Sequence, residues 1–185
     1  DYKGGARISA IAFGIGQYGY VGTGYNGNYQ KDFYRFDPQA AAGQQWEIVN
    51  GFGGQKRQGG TSFVIDDKAY ICCGVNYGSY VYDFWCFDPS TGVFTQLRDI
   101  ADTSDDDYDD DYTSIVRANA VSFVIDGKGY LVTGEYGSLL SNYWIYDPAT
   151  DLWEGEDLTA FEKCSCFFYR HARFCCNRTS QQFLL

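Results

Sequence analysis

The 185-residue sequence contains no methionine, one histidine and only three prolines, and no apolar run in it is long enough to cross a bilayer as a helix. No Ser-His-Asp set, glycine-rich phosphate loop or nucleotide fingerprint is apparent. Positive charge is also scarce: 14 Lys and Arg stand against 24 Asp and Glu, for a net charge of −10. The basic residues are scattered. That excludes the clustered cations needed for nucleic acid, and no basic amphipathic helix is present for a membrane surface. The missing methionine is expected of a processed mature chain or a fragment. With 45% hydrophobic and 21% charged residues, the composition suits a globular domain and not a disordered acidic tail.

Aromatic residues and glycine are abundant. Seventeen Tyr, 14 Phe, 4 Trp and 22 Gly, set against so little proline, predict many short strands joined by tight turns. Much of the excess negative charge falls in one run, Asp99, Asp102, Asp105, Asp106, Asp107, Asp109, Asp110 and Asp111.

An internal repeat organises the chain. All three prolines lie in one motif, Phe36-Asp37-Pro38, Phe87-Asp88-Pro89 and Tyr146-Asp147-Pro148. Upstream, Arg7, Phe13, Ile15, Tyr20 and Gly24 recur as Arg57, Phe63, Ile65, Tyr70 and Gly74, and again as Arg117, Phe123, Ile125, Tyr130 and Gly134. Each unit reads as four strands. A small, apolar first strand such as 120–125 is followed by a two-residue turn, Asp126-Gly127, and a second strand over 129–133. An aromatic third strand over 142–146 leads into the Asp-Pro turn, and the fourth carries Trp153, matching Trp46 and Phe94. Gly24, Gly74 and Gly134 mark a bend or a close backbone approach.

This pattern resembles the kelch-repeat β-propeller family over about residues 6–162. It departs from the family where a glycine pair usually closes the second strand; here stand Thr23-Gly24, Cys73-Gly74 and Thr133-Gly134. The resemblance implies an all-β, kelch-type β-propeller with three four-stranded blades at about 6–56, 57–116 and 117–162. Such a propeller is incomplete, since closure takes about four to eight blades. The spelling is most similar to exported bacterial kelch-like lipoproteins. That implies a periplasmic or cell-surface location, anchored through the parent protein.

Residues 163–185 depart in composition, with Cys164, Cys166, Cys175, Cys176, His171 and four of the basic residues. A zinc site is the literal reading, but the adjacent Cys175-Cys176 pair is poor tetrahedral geometry, and no metal or other cofactor is expected. Read one nucleotide later, the codons of 167–178 permit Phe-Ser-Ile-Gly-Thr-Arg-Gly-Phe-Val-Val-Thr-Gly, in register with Phe123–Gly134. The expectation is therefore a frameshifted fourth repeat that disrupts a fourth blade. If the chain is truly this short, self-association is a way for three blades to close. Cys72, Cys73 and Cys86 are expected as buried thiols, with a Cys72–Cys86 or Cys73–Cys86 bridge as the alternative.

Strand order in such a blade places the second-to-third loops and the blade connections on one face. Tyr25, Asn26, Tyr29, Asn76, Tyr77, Tyr80, Glu135 and Tyr136 belong there, with Arg7, Arg57 and Arg117 ringing the same mouth. Aromatic faces beside amides and guanidinium groups suit a glycan or a protein ligand. Against that stands a structural reading, in which the arginines bond carbonyls of the neighbouring blade and the tyrosines pack the loops. The acidic run suits either calcium or a solvated loop, and it lacks the spaced glycine turn of a calcium loop. Non-catalytic binding is the leading expectation. The alternative that the resemblance implies is a sugar-modifying enzyme of the sialic acid mutarotase type, with Glu135 beside Arg117 as acid–base group. Copper chemistry of the galactose oxidase kind is excluded by the missing histidines.

Overall fold

In a computed structural model, residues 1–157 are described, together with the backbone of two short strands further on. Three four-stranded antiparallel sheets follow one another along the chain. The first is β1 (Ile11–Ile15), β2 (Tyr18–Gly22), β3 (Phe33–Phe36) and β4 (Trp46–Val49). The second comprises β5 (Thr61–Ile65), β6 (Lys68–Cys72), β9 (Trp85–Asp88) and β10 (Val93–Gln96), with the small hairpin β7 (Val75–Asn76) and β8 (Ser79–Tyr80) between its second and third strands. The third is β11 (Val121–Ile125), β12 (Lys128–Val132), β15 (Asn142–Asp147) and β16 (Leu152–Asp157), with the matching hairpin β13 (Glu135–Tyr136) and β14 (Ser138–Leu139). Strands β17 (Phe167–Tyr169) and β18 (Ala172–Phe174) pair with each other. The remainder of the 163–185 segment, with its cysteines, histidine and frameshift reading, lies outside the described residues.

Local chemistry explains each blade. The turn between first and second strands needs two left-handed residues, and Asp126 and Gly127 take φ of 50° and 75°. The aromatic-Asp-Pro motif is an Asx turn. Because proline has no N–H, the aspartate Oδ1 takes its bond from the residue beyond: Gln39 N at 2.8 Å, Ser90 N at 2.9 Å and Ala149 N at 2.9 Å.

Register then separates the two faces of every blade. Odd-numbered residues of a first strand point toward the following blade: Ile11 and Ile15 pack with Phe87 and Phe94 of the second. Phe63 and Ile65 pack with Leu131, Trp144, Tyr146 and Trp153 of the third. These seams are the hydrophobic core, and burying each such side chain contributes about 1.5–3 kcal/mol. The first strands lie side by side, β1 against β5 and β5 against β11. Ser122 Oγ donates to Ser62 O at 2.7 Å across that line. Backbone rungs also cross the seams, Gly59 N to Ser9 O at 2.9 Å and Asn119 N to Gly59 O at 2.8 Å.

One repeated element precedes the arginine and escaped the sequence reading. Tyr2 packs on Tyr34 and Trp46, Phe52 on Trp85 and Phe94, and Tyr112 on Trp144. Each ring plugs one side of the blade whose strands follow it. Phe52 also touches Phe33 across the first seam.

Candidate ligand-binding face

The second-to-third loops and the blade connections share one face, because their backbones bridge directly. Arg57 pairs with Gln30, Gln58 with Val75 and Ala118 with Glu135. At the bottom of this face the residues before Gly24, Gly74 and Gly134 hold an unusual backbone. Thr23, Cys73 and Thr133 are left-handed, with φ of 58°, 65° and 58°. The conformation that a glycine pair would supply is thus retained with side chains that disfavour it. The following glycines are required: a Cβ at Gly74 would lie 2.7 Å from Gln58 O, and at Gly134 2.7 Å from Ala118 O. Gly24 N and Gly74 N donate across the seams to Arg57 O and Arg117 O at 2.7 and 2.8 Å.

The three arginines lie under this face, with their guanidinium groups engaged in the fold. Arg7 donates to Thr23 O at 2.9 Å and to Asp32, and its side chain is 3% exposed. Arg57, fully buried, bonds Gln55 O, Cys73 O and Asp83. Arg117, also fully buried, bonds Ile115 O, Thr133 O and both oxygens of Asn142, with no carboxylate against it among the described residues. Burial pulls its pKa below the usual arginine value. Their bonds run to the end of the arginine's own second strand and to the segment just before it rather than to carbonyls of a neighbouring blade's strands, so each arginine ties those two together.

The loop residues are presented differently. Tyr25, Tyr29 and Tyr77 form a chain of rings with centroids 5.2 and 4.7 Å apart, crossing from the first blade to the second. Tyr80 and Tyr136 meet at 4.5 Å across the second seam, and Tyr80 Oη accepts a bond from Gly137 N at 2.9 Å. Tyr77 is 71% exposed and Tyr136 51%, each on its own small hairpin. Below the second pair opens a cleft of about 420 Å³, lined by Tyr80, Tyr82, Tyr112, Thr113 and Tyr136. Asn26 Oδ1 accepts from Gln30 at 2.8 Å, Asn76 Oδ1 is buried without a hydrogen-bond partner, and Glu135 Oε1 accepts from Asn119 at 3.0 Å. Glu135 forms no ion pair with Arg117.

The acidic connection borders the cleft through Ala101 and Tyr112. Within it Asp109 is fully buried and accepts from Thr103 N, Ser104 N and Ser104 Oγ at 3.0, 3.0 and 2.7 Å. Burial pushes its carboxyl up, but these bonds outweigh burial and hold it below the ordinary aspartate value. Carboxylate oxygens of Asp102, Asp109 and Asp110 come within 4.8 Å of one another, yet those of Asp109 already organise the loop. Cys72, Cys73 and Cys86 are free thiols, the first two fully buried and Cys86 half-buried.

Three successive four-stranded blades with interlocking seams give this chain the fold of an incomplete kelch-type β-propeller. Residues 56–99 match the Kelch motif. Among solved structures, that of YjhT is similar, with 19% sequence identity and a TM-score of 0.63 over 82% of this chain. The chain spans about half the length of that structure, 51%. No curated protein matches the chain.

Proposed function

We propose that the chain is a recognition module whose loop face binds a carbohydrate, without turning it over. The observation that carries this reading is the run of tyrosine rings, Tyr25–Tyr29–Tyr77 and Tyr80–Tyr136, the second pair lining a 420 Å³ cleft. Flat rings held outward on hairpins offer apolar area at little conformational cost. The Asn26 amide and the exposed phenol groups of Tyr77 and Tyr136 supply hydrogen bonds for hydroxyls, a combination that suits a sugar face. We place this activity outside the cytoplasm, as the likeness to exported kelch lipoproteins implies.

Glycan-array binding by the full chain tests the reading. Tyr77→Ala and Tyr136→Ala are each expected to weaken the selected glycan by tenfold or more, about 1.4 kcal/mol. Affinity unchanged in both variants refutes it. The sugar-modifying alternative rests on Glu135, whose carboxylate is held by Asn119. Anomer interconversion followed by NMR, abolished in Glu135→Gln, would favour that alternative instead.

A further inference from the structure

We propose that the cleft between the second and third blades takes a sugar carrying a protonated amine, selected by four tyrosines and the acidic connection beside them. This deepens the carbohydrate reading above and rests on it. Every residue lining the cleft lies between 78 and 136, in the small hairpins of the two blades and in the connection that joins them. Its volume of about 420 Å³ falls in the range of small-molecule sites. Tyr80, Tyr82, Tyr112 and Tyr136 line it, and no charged side chain does. Tyr82 and Tyr136 are 41% and 51% exposed, so a ligand has access to their rings. An aromatic face is negative, and it attracts a cation where it offers an anion nothing.

Charge beside the cleft has one sign. The connection, residues 97–116, holds eight aspartates and one arginine. Two of the lining residues, Ala101 and Tyr112, adjoin Asp102 and Asp111, both exposed. Burial pushes the Asp99 carboxyl up, and despite a bond from Gln96 the charges of Asp83 and Asp109 add to the shift. Positive charge is engaged elsewhere. The Arg98 guanidinium lies over the ring of Tyr108 at 4.6 Å, outside the cleft wall. Arg7, Arg57 and Arg117 are buried and bonded within their own blades. An acidic sugar would therefore enter against the field, and a neutral one without its help. An ammonium group gains from both rings and field.

Calorimetry on the full 185-residue chain near pH 6, where a sugar amine is protonated, tests this with two probes. They are the β-1,4-linked glucosamine tetramer and its fully N-acetylated counterpart. The free-amine form is expected to bind about tenfold more tightly at about 0.01 M salt, where charges act over roughly 30 Å. That gap should close at about 1 M salt, where they act over roughly 3 Å. Asp102→Asn combined with Asp111→Asn is expected to cut the preference by about threefold or more. Equal affinity for the two tetramers at low salt overturns the inference and leaves the carbohydrate reading standing. Heat from neither tetramer overturns it too, and the glycan array then decides the broader reading separately. A preference that survives high salt refutes charge as its source. A tri-lysine peptide binding as tightly as the free-amine tetramer also overturns the inference, because the cleft would then read charge without a sugar. The two salt conditions keep the comparison decisive on the unaltered chain should the double variant fail to fold.

Discussion

Neighbouring residues at the end of a second strand call for opposite substitutions. Thr133 is exposed and left-handed at φ 58°, whereas Gly134, at φ 93°, faces Ala118 O. A non-glycine residue held left-handed costs about 1–3 kcal/mol, and a new glycine returns roughly 0.4–1 kcal/mol of that through the unfolded chain. Thr133→Gly is therefore expected to stabilise by about 1 kcal/mol in urea denaturation. Gly134→Ala is expected to destabilise, because its Cβ meets a backbone oxygen that cannot swing away. Equal signs for the pair would refute this account. The second glycine was readable as a close approach from its repetition. The left-handed threonine was not, since threonine at that place argues locally for extended backbone.

At the level of the blade, the buried arginine is a fastener whose cost depends on its partner. Arg57 faces Asp83, 6% exposed, while Arg117 faces only carbonyls and Asn142. Arg57→Met strands a buried carboxylate, at about 3–5 kcal/mol. Arg117→Met leaves neutral acceptors unpaired, at about 1–3 kcal/mol. Urea midpoints should rank the two in that order, and Asp83→Leu added to Arg57→Met should recover part of the loss. The repetition of arginine was plain in the sequence, but its role was not. Asp32, Asp83 and Asn142 lie 25 or 26 residues downstream and share no single identity. Strand order alone puts the tyrosine loops on the face they share with the blade connections. Their ring-to-ring chain was hidden, because stacking depends on the small hairpins β7–β8 and β13–β14. The plug at Tyr2, Phe52 and Tyr112 was hidden for a related reason: it precedes the repeated block and changes residue type.

Over the whole molecule, acid sensitivity is expected to start in the connection between the second and third blades. Asp109 has a folded pKa below its ordinary 3.8, so its contribution is complete above that value. It is lost as pH falls through the lower folded value. Protection of the Thr103 and Ser104 amides against exchange, relative to their intrinsic rates, should fall below about pH 4. In Asp109→Asn the same amides should lose that pH dependence. An unaltered acid profile in the variant would assign the transition elsewhere, Asp88 and Asp147 being the other carboxyls among the described residues held low by hydrogen bonds and lysines. An acidic run reads as a solvated face in any sequence; that one of its members is a buried organiser is visible only once Thr103 and Ser104 are folded around it.

The plug residues also set a timetable for synthesis. Tyr2, Phe52 and Tyr112 each leave the ribosome before the sheet they cover, so a nascent blade meets its own stopper already waiting. Its other side, exemplified by Phe63, stays bare until the next blade emerges to cover it. Vectorial growth thus opens each new apolar front on the newest blade and closes it with the next, which keeps the interval for misassembly at each seam short.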